Sequence, residues 1–210
     1  MKFVQAVAPI IASWYSMDIE GAEQFVAGMI YGLIQKDDLP EIEKCLKNGE
    51  TLEMEITNAL SDFSHPCQIL ADLMTYQEQK GSINGKKVAW IGDGNNVCQT
   101  YMQAAEIFGF ELNIACPNGY EPNQSFVESY QNNVNFCSKP MDACKDVDLV
   151  VTDVWTSMGK ESEQKQRESV FKDYQVDQRM MSVANSDALF MHCLPAHRGE
   201  EVSTEVIDGK

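Results

Sequence analysis

A thiol and two imidazoles fall within six residues near the end of this chain, in Met191-His192-Cys193-Leu194-Pro195-Ala196-His197-Arg198. Cysteine serves as a nucleophile or charge partner in its thiolate form, so a neighbouring cationic group would matter to Cys193. Cys193 and His197 are also potential zinc ligands, but two donors without further partners make a poor site. The preceding run Ala188-Leu189-Phe190-Met191 reads as a buried strand that delivers these groups to a sheet edge. Taken alone, a His-Cys pair at a strand end is ordinary structure. Three earlier stretches alter that reading.

The first is His65-Pro66-Cys67-Gln68, where proline at a first-turn position marks the start of a helix. The free N–H groups and positive dipole end there suit an anion, and His65 is placed to donate to a phosphate or a carbonyl oxygen. The second is Gly92-Asp93-Gly94-Asn95-Asn96, which lies between an apolar run at 87–91 and a helical pattern at 95–108. Strand, glycine turn and helix open a dinucleotide fold, but Val97 replaces the third glycine of that fingerprint. The next strand, 112–116, ends without an acidic residue for a ribose, which argues against NAD. The third stretch is Asp153-Val154-Trp155-Thr156-Ser157-Met158-Gly159, leaving the strongly apolar strand at 148–152.

Further strands are expected at 134–137 and 188–191, with helical segments at 141–145, 161–170 and 176–183. Strands separated by helices predict a doubly wound parallel sheet with helices on both faces, a Rossmann-like α/β domain, over 58–210. Residues 1–57 read as a small helical segment: Phe25, Val26, Met29, Ile30, Leu33 and Ile34 recur at helical spacing, and Pro40 breaks the pattern. In a parallel sheet the strand exits share one edge, so Asn95 with Asn96, Asp153 with Ser157, and His192 with Cys193 should converge.

Composition narrows the partners. A net charge of −16 over 210 residues argues against a nucleic-acid groove, which needs clustered Lys and Arg. Arginine occurs only at 167, 179 and 198, and arginine forks are the usual clamp for phosphate. The seven cysteines are odd in number and form no CxxC pair, the pattern of reduced, cytoplasmic thiols. No run reaches the roughly 18 apolar residues of a membrane span.

Together, His65-Pro66-Cys67-Gln68, Gly92-Asp93-Gly94-Asn95-Asn96, Asp153 to Gly159 and His192-Cys193-Leu194-Pro195-Ala196 closely resemble the ornithine carbamoyltransferases. The resemblance covers nearly three quarters of the chain in order and spacing, and corresponds to the family's ornithine-binding domain. It implies carbamoyl transfer from carbamoyl phosphate to the δ-amine of ornithine, giving citrulline and phosphate, with no metal or organic cofactor. By the same resemblance, His65, Pro66, Cys67 and Gln68 hold the carbamoyl end, and Leu194 assists through its backbone. Asn96, Asp153, Ser157 and Met158 hold ornithine, while Cys193 with Asp153 handles the charge or proton of the amine as the catalytic pair. The family's Ser-Thr-Arg-Thr phosphate loop has no counterpart in residues 1–57. That departure leaves a second expectation: a noncatalytic amino-acid-binding or assembly module derived from the enzyme. Family members are trimers built through their first domain, so a homo-oligomer is open here without the trimer carrying over.

Overall fold

A computed structural model describes residues 64–156 and 163–209. The leading segment 1–57 and the site candidates Ser157 and Met158 lie outside the described residues. Helix α1 (Pro66–Lys80) starts where expected: Pro66 occupies the first turn, where its missing N–H costs nothing, and the His65 ring caps the helix. Its buried residues Ile69, Leu70, Leu73 and Tyr76 recur at three- and four-residue spacing, which lays one stripe against the sheet.

The sheet contains β1 (Lys87–Ile91), β2 (Glu111–Ala115), β3 (Val134–Phe136), β4 (Leu149–Thr152) and β5 (Leu189–His192), all parallel, in the order β3-β2-β1-β4-β5. Between β1 and β2 runs α2 (Asn96–Phe108). The other connections carry shorter helices: α3 (Gln124–Ser129), α4 (Pro140–Ala143), α5 (Gln164–Phe171), α6 (Gln178–Val183) and, after β5, α7 (Thr204–Ile207).

Side-chain alternation divides the core into two layers. Val88, Trp90, Leu112, Ile114 and Val151 face α1 and α2. Ala89, Ile91, Ala115 and Val150 face the opposite layer, with Ala143, Val176 and Met180. A large side chain buried this way contributes roughly 1.5–3 kcal/mol. This is the doubly wound, Rossmann-like arrangement that the alternating pattern predicts. One expectation needs correction. The strand carrying Phe190 and Met191 is half-buried rather than buried, because the strand order puts it at the sheet's edge.

Strand order reverses direction beside β1, between β1 and β4. Open α/β sheets bind ligands beyond the carboxyl ends of the strands at such a point. The turn after β1 is shaped by its neighbours. A side chain on Gly94 would place its Cβ 2.2 Å from the Pro122 nitrogen, and the Gly94 N–H donates to the Tyr120 carbonyl at 2.8 Å. In a dinucleotide fold the second glycine admits a pyrophosphate. Here the chain's own 120–122 backbone takes that approach, a geometric reason, besides Val97, why the fingerprint is not a nucleotide site.

Candidate functional site

Three strand exits converge on one carboxylate. Asp153 follows β4 and is 8% exposed. Its Oδ2 accepts from Asn95 Nδ2 at 2.7 Å, and its Oδ1 accepts from the Cys193 thiol at 2.9 Å and from the Val154 N–H at 2.7 Å. Asn95, just beyond β1, also caps α2 by accepting from the Val97 and Cys98 N–H groups. Its amide nitrogen is thereby fixed toward Asp153. The β1, β4 and β5 exits converge through Asn95, Asp153 and Cys193; Asn96 stands in the first turn of α2, and Ser157 lies outside the described residues.

Cys193 is held as a thiol. Burial pushes its pKa far up, and the Asp153 carboxylate pushes it further. A thiolate nucleophile would need a cation beside it, and what stands within hydrogen-bond distance is an anion. The pair instead presents sulfur and carboxylate to a cation arriving from outside.

The segment that carries Cys193 is tied at both ends by Glu201. Glu201 Oε1 meets His192 Nε2 at 3.0 Å and accepts from the His197 N–H. The His192 and Glu201 side chains are 3% and 0% exposed. The other His192 ring nitrogen contacts the Cys193 carbonyl. Burial opposes charge on both groups, but each partner outweighs it: the pKa of His192 is raised and that of Glu201 lowered. Between these ties Leu194 stands 85% exposed, followed by a cis bond to Pro195.

The start of α1 lies against the same edge. The His65 N–H donates to Thr100 Oγ1 at 2.8 Å, and that hydroxyl donates to the Asn96 carbonyl at 2.6 Å, which fastens α1 to the first turn of α2. His65 Nδ1 accepts from the Gln68 N–H at 3.4 Å, so Nε2 carries the proton in the neutral ring. Burial keeps the ring's pKa below its ordinary value despite the opposing pull of Asp153. Pro66 is buried in the first turn and Cys67 is half-buried beside it. The Gln68 amide donates to Asp72 Oδ1 at 2.9 Å, and the Tyr101 hydroxyl donates to Asp72 Oδ2 at 2.7 Å.

Arg167, from α5, braces the β1 and β4 exits against each other. Its Nη1 donates to Asp93 Oδ2 at 2.6 Å and to the Trp155 carbonyl at 2.7 Å, while its guanidinium carbon lies 4.8 Å from the centre of the Tyr120 ring. Asp72, Tyr101, Glu201 and Arg167 belong to none of the four motifs that the sequence singles out. Only the Gln68–Asp72 spacing of four on a helix offered a signal.

Two sets of metal-type donors occur among the described residues: Asp153 with His192 and Cys193, and His197 with Glu200 and Glu201, each with ligand atoms within 4.8 Å of one another. Asp153 is already committed to the contacts above, and Glu201 is committed through Oε1 while its buried Oε2 accepts no hydrogen bond.

Residues 84–210 match the family described as aspartate/ornithine carbamoyltransferase, Asp/Orn binding domain. The chain belongs to that family. It is 61% identical over 161 residues to an ornithine carbamoyltransferase of Ruthia magnifica, covering 77% of this chain and 54% of that protein. The similarity to the ornithine carbamoyltransferase of Hydrogenovibrio crunogenus is 52% over 192 residues, covering 91% of this chain and 63% of the relative. That second alignment is longer than the 58–210 segment and so reaches into residues 1–57. Among solved carbamoyltransferases, the Burkholderia thailandensis ornithine enzyme superposes with TM-score 0.65 at 49% identity, over 71% of this chain and 48% of its own. The Pyrococcus furiosus enzyme gives 0.66 at 46%, over 71% and 50%. The chain thus spans a little over half the length of the curated carbamoyltransferases it matches.

Proposed function

We propose that this chain supplies the ornithine side of an ornithine carbamoyltransferase site, in which the δ-amine of ornithine attacks the carbonyl carbon of carbamoyl phosphate. The C–N bond forms, the C–O bond to phosphate breaks, and the neutral amine gives up one proton, which leaves with the phosphate, to yield citrulline. The observation that carries the reading is the Cys193–Asp153 contact at 2.9 Å where the β4 and β5 exits meet. A buried carboxylate beside a sulfur acceptor forms a receptor for an alkylammonium, and the Asn95–Asn96 end of the same edge offers polar groups for the amino-acid end of the substrate. His65, protonated on Nε2, is the donor for the carbonyl oxygen as negative charge develops there. Gln68 and the Leu194 carbonyl hold the carbamoyl end, and Ser157 and Met158 complete the ornithine contacts. We assign residues 58–210 to this unit and 1–57 to a leading segment, into which the similarity to the Hydrogenovibrio crunogenus relative extends.

Phosphate is the weak point, and it favours a second reading: a unit that binds the amino acid without turning it over alone. Arg167 is committed to Asp93, Arg179 to Asp177 and Arg198 to Asp208. Each of the three arginines is thus paired with a carboxylate, Arg167 in a buried pair and the other two at the surface. Among the described residues no helix is long and apolar enough to cross a membrane. The described cysteines, Cys67, Cys98, Cys116, Cys137, Cys144 and Cys193, are free thiols, which supports a reducing, cytoplasmic setting.

Calorimetric titration with ornithine and a citrulline-forming assay test both readings. We expect weak ornithine binding that Asp153→Ala reduces about tenfold or more, since a charge-assisted hydrogen bond contributes about 1.5–3 kcal/mol. Citrulline formation by the chain alone should fall far below the roughly 10 per second of an ordinary enzyme. No heat at millimolar ornithine sinks the substrate reading, and ordinary turnover sinks the binding-only one.

A further inference from the structure

The Gln68 amide does not float: an accept-only group fixes which way round it sits. Gln68 Nε2 donates to Asp72 Oδ1 one helical turn along α1, at 2.9 Å. An ionised carboxylate accepts hydrogen bonds and donates none, so the amide nitrogen, not the oxygen, must face it. Asp72 is held in turn by the hydroxyl of Tyr101, fully buried on α2, at 2.7 Å. Burial raises the pKa of Asp72, and the hydrogen bonds it accepts from Tyr101 and Gln68 counter that rise by favouring the carboxylate.

We infer that Asp72, anchored by Tyr101, is a positioning and specificity-determining residue: it turns Gln68 so that Oε1 is presented outward, as an acceptor selective for the NH2 of a carbamoyl group. This rests on the proposed reading that Gln68 faces the carbamoyl end. The chemistry follows from the inventory of donors. A carbamoyl group and an acetyl group share a carbonyl and nearly the same shape, but one ends in NH2 and the other in CH3. An outward Oε1 accepts from the NH2 and gains nothing from the methyl. A site that keeps a committed polar group for its ligand discriminates against the analogue lacking the matching partner, because the group is then left unpaired. Were Gln68 free to turn, its own NH2 could face outward and this selectivity would vanish.

The test compares citrulline with Nδ-acetylornithine, which replaces the terminal NH2 by CH3, using calorimetry on the whole chain. Wild type is expected to bind citrulline about tenfold more tightly. Asp72→Asn offers Gln68 either a donor or an acceptor, so the preference should fall to about threefold or less. The Kd for Nδ-acetylornithine should stay unchanged. A merely structural role for Asp72 would weaken both ligands alike, and that result overturns the inference. Asp72→Leu combined with Tyr101→Phe, which removes the acceptor and the hydroxyl it would otherwise leave unpaired, provides a second variant should Asp72→Asn fail to fold. It leaves nothing to hold the Gln68 amide one way round, and the preference should shrink in the same sense. Equal binding of the two ligands by wild type overturns this inference alone. No binding of ornithine or either analogue overturns the substrate reading and this inference with it.

Discussion

Replacing Glu201 by glutamine tests the tie that shapes the Cys193 segment. Glu201 Oε1 serves His192 Nε2 and the His197 N–H together, inside a region where both side chains are essentially sealed from water. Hydrogen bonds to charged groups contribute about 1.5–3 kcal/mol each against about 0.5–1.5 for neutral ones; the glutamine carbonyl can accept both but without the charge, so the expected loss is about 2–3 kcal/mol. For a chain of this size that lowers Tm by roughly 5–10 °C. The pH dependence is the sharper signature. The Glu201 pKa lies below its ordinary 4.5, so its contribution is present above that value and lost as pH falls through the folded pKa. The His192 pKa lies above its ordinary 6.5, so its contribution is complete below that value and lost as pH rises through the folded pKa. Both are present together at mildly acidic pH, between roughly 4.5 and 6.5, and there the gap between wild type and Glu201→Gln should be widest. Urea unfolding followed across pH, with ornithine titrations alongside, reads both effects. A stability gap that stays flat from acid to alkali would refute the charged pairing, even if the total loss came out right.

Other outcomes follow from the same geometry. Cys193 should resist iodoacetamide at neutral pH, because burial and Asp153 hold it as a thiol, and Asp153→Asn should speed its alkylation; rapid labelling of the wild-type residue, located by peptide mass, contradicts this. Arg167→Met takes the guanidinium away from the buried Asp93 carboxylate and should cost about 3–5 kcal/mol in chemical unfolding, whereas a loss under about 1 kcal/mol would show that the pair is dispensable. Gly94→Ala forces a Cβ into the 121–122 backbone and should destabilise by at least about 1–3 kcal/mol, and a variant melting with wild type would mean that this loop yields freely.

Legibility in the sequence tracked how local the cause was. The apolar run at 87–91 announced β1 to the residue, because a central parallel strand is buried on both faces and needs no alternation to be seen. The run before Cys193 looked equally buried, yet strand order makes β5 an edge, and order is a property of the whole sheet. The sequence alone puts Asp153 and Cys193 on one edge, since parallel strands all exit on the same side. It does not place their supports. Glu201 reaches His192 across nine residues of irregular chain, Arg167 reaches Asp93 across 74, and Tyr101 meets Asp72 between two helices. None of these spacings corresponds to a helical or strand period, so only the folded chain reveals them.

The close packing at Gly94 bears on how readily this scaffold changes its ligand over evolutionary time. Converting Val97 to glycine would complete the dinucleotide fingerprint in the sequence, and a motif search would then read the chain as a nucleotide binder. The fold would not agree. Glu121 and Pro122 hold their backbone 2.2–2.4 Å from where a Cβ on Gly94 would sit, and the Tyr120 carbonyl already takes the Gly94 N–H. A switch to nucleotide chemistry would require the 117–123 connection to be rebuilt as well, and no single substitution opens that path. Gly94 is required here by the close crossing of the 121–122 backbone, and the same letter in the same place answers to a different constraint from the one its motif suggests.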